Sequence, residues 1–174
     1  MCEKDLDIEN FLKERAIQFE HLGKSRTFFI YDEEDDDFKI LAYFTLALQV
    51  LKVSEELLSG RKTRFLDGFS SKARGDKITE FPTILIGQLG KNDLYEDSIT
   101  GFDVMQYCFA KLLEGQALLG GRIIMLECKD IPYLIELYEA FGFKKLEKDY
   151  EEGELLQMIK VLEEEELIER KDTL

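Results

Sequence analysis

Tyr138, four residues ahead of Gly142 and Phe143, has the sequence setting that most suggests chemistry. The stretch Glu127-Cys-Lys-Asp-Ile-Pro-Tyr-Leu-Ile-Glu-Leu-Tyr-Glu-Ala-Phe-Gly-Phe143 reads as a strand end, a short helix and a second strand around that tyrosine. Gly142 suits the left-handed cap that ends a helix, and Phe143 would then turn inward as the next strand begins. A phenol, with an unperturbed pKa of about 10, still holds its proton at neutral pH. It has a proton to give, and it can equally be an amphipathic core aromatic.

Other reactive side chains are poorer candidates. His21 ends the first helical pattern with no His, Cys or acidic cluster nearby, which suits a capping or surface role. Cys2, Cys108 and Cys128 are odd in number and follow no metal or disulfide spacing, so they read as reduced thiols of a cytoplasmic protein, the last two in the core. Cys128 follows Glu127 at a strand end, with no paired histidine to make it a nucleophile. Gly120-Gly121 lacks the context of a phosphate loop and reads as a turn. Glu80 and Glu127 could take a proton through water, and each also suits a structural or surface role.

The elements that would position these residues follow from periodicity. Leu6 to Leu22 repeats apolar residues at helical spacing and Gly23 closes it. Arg26 to Asp32 and Phe38 to Val50 form a hairpin around an acidic turn, the second strand largely buried. Ser54 to Ser59 is a short helix capped by Ser54. Gly60 to Glu80 is a basic connection with apolar anchors Phe65, Leu66 and Phe69, of a length that often marks a binding loop. Phe81 to Lys91 is a strand, Gly101 to Leu119 a helix, Arg122 to Cys128 a strand, Pro132 to Phe141 the tyrosine helix, and Phe143 to Glu147 and Leu155 to Leu162 the last strands. A strand–helix–strand crossover beside hairpins makes an α/β (α+β) chain with a mixed sheet. Nothing divides the 174 residues, so 1–174 is expected to be a single domain, with an acidic tail from about 163 to 174.

The formal charge of −14 argues against non-specific nucleic-acid binding. It is unevenly spread, because Arg61, Lys62, Arg64, Lys72, Arg74 and Lys77 crowd one segment. The N-terminus is charged and no apolar run has the length of a membrane span, so neither secretion nor membrane insertion is expected.

The tyrosine followed by Gly-Phe, the strand Thr83-Ile-Leu-Ile-Gly-Gln-Leu-Gly-Lys91 and the element order resemble the GNAT N-acetyltransferases over nearly the whole chain. The resemblance implies a mixed, mainly antiparallel sheet with a central parallel pair flanked by helices. It also implies acetyl-CoA as cosubstrate, no metal, and Tyr138 as the general acid facing the cofactor sulfur. Backbone groups at Leu89 and Lys91 would meet the pantetheine arm. The pyrophosphate cradle would run through Asp97, Ser98, Ile99, Thr100, Gly101 and Phe102, and here the chain departs from the family: Asp97 and Ile99 replace two glycines and the leading basic residue is gone. Either the amides and the Ser98 and Thr100 hydroxyls still hold phosphate, or the fold serves as a non-catalytic binding or regulatory protein. Gly87 and Gly90 fit a bulge or close backbone approach, with packing as the alternative.

The N-terminal half, with Phe11-Leu12, Gly23-Lys-Ser-Arg-Thr-Phe-Phe29 and Ala42-Tyr-Phe-Thr-Leu-Ala47, is similar to the GNAT toxins of toxin–antitoxin modules, which acetylate aminoacyl-tRNA. The implied acceptor is an amine on a small molecule, a peptide or aminoacyl-tRNA. A homodimer is the default assembly.

Overall fold

The computed structural model describes residues 6–34, 37–163 and 166. Cys2 and most of the expected acidic tail lie outside them. The chain falls into two compact units, Met1–Leu48 with Ile86–Gly115 and Gln49–Leu85 with Gln116–Leu174. Six strands form one mostly antiparallel sheet with a parallel pair, in the order β1-β2-β5-β6-β8-β7, flanked by helices. They are β1 (Arg26–Glu34), β2 (Asp37–Lys52), β5 (Glu80–Lys91), β6 (Ile123–Cys128), β7 (Lys144–Lys145) and β8 (Leu156–Val161). The expected strand from Phe143 to Glu147 is thus only two residues long.

In the first unit the periodic run at the N-terminus is helical in three pieces: α1 (Leu6–Asn10), a π-helical turn (Phe11–Arg15) and α2 (Ala16–His21). The π turn shifts the buried face by one residue, which lets Phe11 and Phe19 meet edge to face at 5.5 Å. Strands β1 and β2 form the expected hairpin, with Ile30 opposite Ala42 and Tyr31 opposite Ile40, so Leu41 is the extra residue of a β-bulge. Of the expected run Phe38 to Val50 only Ala42 to Thr45 is buried, against the expectation of a largely buried strand, with Leu51 buried just beyond it. Helix α4 (Gly101–Leu119) buries Val104, Met105, Cys108 and Leu112 at helical spacing. A small core joins Ala42, Ile99 and Val104.

The second unit has its own core of Leu51, Val53, Leu58, Leu66, Phe81, Ile123, Met125 and Leu146. Two expectations fail here. Ser54 makes no side-chain cap, and the turn it precedes is a single 3₁₀ turn (Glu55–Leu57). The expected connection over 60–80 is instead helix α3 (Gly60–Asp67) and the hairpin β3 (Lys72–Ala73) with β4 (Asp76–Lys77). Ser59 is the true cap, its hydroxyl accepting from the Lys62 amide at 3.1 Å. Thr63 and Leu66 are the only residues of α3 that are buried. Phe65 and Phe69 are not anchors, being 56% and 90% exposed. Helix α5 (Pro132–Ala140) starts with proline at its first turn, where a missing N–H leaves no bond unmade.

Gly90 is the point where α1 meets the sheet. A Cβ there would stand 2.5 Å from Ile8 Cγ2 and 3.1 Å from Tyr43 Cε1. The Tyr43 hydroxyl donates to the Ile8 carbonyl across the same contact. Gly90→Ala is therefore expected to destabilise the protein by about 1–3 kcal/mol in urea unfolding, as overpacking does. Adding Ile8→Ala should recover part of that loss, whereas strictly additive effects would show that the two positions do not touch.

Candidate functional site

The residues that could hold a cofactor belong to the first unit. The end of β5 passes through Asn92 into a 3₁₀ segment (Asp93–Ser98) that sequence periodicity did not show, kinked at Tyr95. Asn92 Oδ1 accepts from the Leu94 amide at 3.2 Å and caps that segment. Helix α4 then begins with a reciprocal capping box: the Asp103 carboxylate accepts from the Thr100 amide at 2.9 Å and from its hydroxyl, and Thr100 Oγ1 accepts from the Asp103 amide at 3.1 Å. The spacing Thr100-Gly-Phe-Asp103 was in the sequence and is the signal that could have found it. Asp103 is held below the usual carboxylate range, first by the Thr100 hydroxyl, then by its amide, with Lys91 adding to the pull against a small opposing effect of burial.

The other residues of this stretch divide by burial. Ile99 and Gly101 are buried, and Ile99 packs on Ala42 and Val104. Asp97, Ser98 and Phe102 are exposed, and Leu89 is half-buried against the same small core. The Ser98 hydroxyl makes no hydrogen bond to the described residues. Lys91 Nζ donates to the Glu96 carbonyl at 2.9 Å, which places a cation at the turn where the sequence motif had lost one.

Tyr138 lies in the second unit, where it is the only buried residue of α5. Its exposure is 7%, and its ring meets Phe143 edge to face at 6.3 Å. The helix ends as expected. Gly142 has φ +83°, its amide donates to the Glu139 carbonyl at 2.8 Å, and the Phe143 amide donates to the Tyr138 carbonyl at 3.1 Å. Lys160 Nζ lies where a Cβ at Gly142 would be only 3.1 Å away, near the negative end of the helix, and pairs with Glu166 at 2.7 Å.

Among the remaining candidates, Glu80 is exposed and paired with Lys52 at 3.0 Å, and Glu127 accepts from Gln157 Nε2 at 2.9 Å. Burial pushes the Cys108 thiol up to about 12 and also raises that of Cys128, where Asp130 adds to the rise and Lys145 opposes it. Both stay protonated and are not nucleophiles. His21 is exposed at the end of α2. Among the described residues no cluster of ligands could hold a metal ion, and no helix is long and apolar enough to cross a membrane.

The basic segment has a definite scaffold in the second unit. Arg61 and Arg64 project from α3, Lys72 from β3, and Arg74 stands at the hairpin tip, where it and Gly75 both take positive φ as a tight two-residue turn requires. Lys62 pairs with Glu147 at 3.2 Å and Lys77 Nζ donates to the Glu55 carbonyl at 2.7 Å. Arg61, Arg64, Lys72 and Arg74 are exposed and pair with no carboxylate among the described residues. Phe65 and Phe69 are interleaved with them.

No family model matches this chain, and no curated protein matches its sequence. The fold is nevertheless GNAT-like, and solved structures of bacterial toxins share it. A tyrosine-to-phenylalanine mutant of KacT matches 100% of this chain and 89% of its own at a TM-score of 0.66 and 12% identity. AtaT complexed with acetyl-methionyl-tRNAfMet matches 92% of this chain and 84% of its own, TM-score 0.65, at 15% identity. A tyrosine-to-phenylalanine mutant of AtaT bound to the C-terminus of the antitoxin AtaR and acetyl-CoA matches 92% and 82%, TM-score 0.64, at 10% identity. At such identities the likeness is one of fold.

The capping box makes a measurable claim about α4. Thr100→Ala should cost about 1 kcal/mol, as loss of a helix cap does. Because Asp103 is depressed in the folded state, its contribution is present above the unfolded pKa of about 3.9 and is lost as pH falls through the folded value. The stability gap between the parent and Asp103→Ala should thus hold from neutral pH to about pH 4 and close below it. A gap that stays constant at lower pH would assign the loss to packing.

Proposed function

We propose that the protein is an acetyl-CoA-dependent N-acetyltransferase in which Tyr138 is the general acid. The observation that carries this reading is the tyrosine itself, buried on a helix closed by Gly142 and backed by Phe143, in a fold shared with proteins solved with acetyl-CoA. That solved forms of both AtaT and KacT exchange one tyrosine for phenylalanine supports a tyrosine-centred chemistry.

Acetyl-CoA supplies a thioester that an amine can attack directly, with loss of CoA thiolate. The chain's part is to bind, orient and move protons. Tyr138 would give its phenolic proton to the thiolate as the C–S bond breaks, and recover one from solvent. The attacking amine loses its proton to water, since Glu80 and Glu127 are already held by Lys52 and Gln157. At the turn before α4, the Ser98 hydroxyl and the Lys91 ammonium are the groups best suited to phosphate oxygens, because Thr100 and Asp103 occupy each other. Leu89 would meet the pantetheine arm through its backbone. Asp97 suits this role only with its carboxylate turned to solvent.

For the acceptor we favour the amino group of an aminoacyl-tRNA. The unpaired cations Arg61, Arg64, Lys72 and Arg74, interleaved with exposed Phe65 and Phe69, suit a phosphate backbone and its bases despite the overall acidity. One observation favours a second reading, a non-catalytic binding protein: the Thr100 amide, part of the expected cradle, already serves the capping box. Native mass spectrometry with excess acetyl-CoA separates the two, since only the enzyme should carry a CoA-sized adduct.

Tyr138→Phe should keep the fold and CoA binding and lower turnover by roughly ten- to a thousandfold, water standing in for the lost acid. Unchanged turnover at saturating acetyl-CoA would make Tyr138 a core aromatic. Changing Arg61, Arg64, Lys72 and Arg74 to glutamate should leave the fold intact and abolish both tRNA binding and its salt dependence. A variant that binds tRNA as the parent does, with the same salt slope, would remove tRNA from this surface.

A further inference from the structure

The first unit holds a cleft that reaches the turn before α4, with Ser98 and Ile99 in its lining. It has a volume of about 550 Å³ and lies between the β1–β2 hairpin and α4. Its floor is apolar, with Ile30 and Ile99. Asp32, Asp103, Gln106 and Tyr107 supply its polar and aromatic groups. No lysine, arginine or histidine lines it. Lys39 faces Asp32 across the hairpin register, yet the Asp32 carboxylate has no hydrogen bond or ion pair among the described residues. The cleft is therefore an acidic, aromatic site on an acidic molecule, and it repels nucleic acid.

One wall of this cleft is also the outermost strand of the sheet. β1 pairs only with β2. At its start the Thr27 amide is met from outside by the Glu20 carboxylate at 3.0 Å. Backbone groups of an antiparallel strand alternate between its two sides, so Phe29, Tyr31 and Glu33 are the following residues whose amides and carbonyls face outward. The Glu20 carboxylate closes the strand at Thr27 and leaves it open beyond. A strand added there would lie about 4.8 Å from β1, and every second side chain would project over the face that carries Ile30 and Asp32. That face is the cleft.

We infer that β1 and this cleft together form a docking site for an extended basic peptide of a partner protein. The peptide adds a strand to β1, and an arginine enters the cleft, its guanidinium forked on Asp32 and stacked on Tyr107. A second copy of this chain fits poorly, because two β1 edges would bring Asp32 and Glu33 of each against like charges. The cleft shares Ser98 with the proposed phosphate turn, whereas Asp32 and Tyr107, which would hold the arginine, take no part in the proposed acetyl transfer.

Fluorescence anisotropy with a labelled nonapeptide of alternating arginine and valine tests the inference on the whole chain. The peptide should bind, and its glutamate counterpart should not. A version N-methylated on alternate amides keeps the charge but cannot complete the ladder, and should bind about tenfold more weakly or worse. Asp32→Lys should lose about tenfold or more in affinity while its CoA binding stays that of the parent. Three results would overturn the site: equal binding of the N-methylated peptide, an Asp32→Lys affinity within about twofold of the parent, or β1 amides protected from hydrogen exchange only by self-association. Loss of acetyl transfer in Tyr138→Phe bears on none of them.

Discussion

The geometry of the first unit depends on how Asn92 ends β5. Its amide donates to the Leu41 carbonyl at 2.8 Å and its side-chain Nδ2 to the Ile40 carbonyl at 2.8 Å. Its Oδ1 takes the Leu94 amide, and its carbonyl takes the Tyr95 amide at 3.0 Å. One side chain thereby anchors the strand end to the bulged part of β2 and starts the turn toward α4. The bulge matters because Leu41 is its extra residue, and the neighbouring carbonyls of Ile40 and Leu41 both bond to Asn92. Lys91 is fixed one residue earlier, and the capping box fixes the far end of the turn. A turn held at both ends would lose little entropy on meeting a ligand.

Charge is organised by element more than by overall balance. A net charge of −14 would predict repulsion of every polyanion, and yet four cations on α3 and the β3–β4 hairpin have no carboxylate partner among the described residues. At a Debye length of about 8 Å a local patch outweighs distant charges of the opposite sign. β1 shows the reverse arrangement, with acids gathered beside an open strand. The two surfaces therefore differ in the sign of the charge they present.

Much of this architecture was legible because burial imposed a period. The apolar spacing of Gly101 to Leu119 marked α4, and Gly142 with Phe143 marked the end of α5. Helix α3 was hidden because eight residues with only Thr63 and Leu66 buried leave too short a stripe to read, and its charged face looks like a loop. The turn before α4 was less legible for a different reason. The glycines of the family motif are absent there, and the chain stabilises the turn with side chains, Asn92, Thr100 and Asp103, whose capping role does not need glycine. Whether Tyr138 is acid or anchor could not be read from its spacing, since both roles place it on the buried face of a helix.

The junction after α5 bears on how this chain can vary. Any residue replacing Gly142 would meet a left-handed backbone that disfavours a Cβ, and the Lys160 ammonium, 3.1 Å from that Cβ, would have to give way at the end of its flexible side chain. Moving the lysine leaves the backbone cost, so a change at position 160 alone cannot rescue the substitution. Among natural variants of this chain, position 142 should stay glycine even in lineages where Tyr138 has been lost, and the glycine is then a record of the fold and not of the reaction.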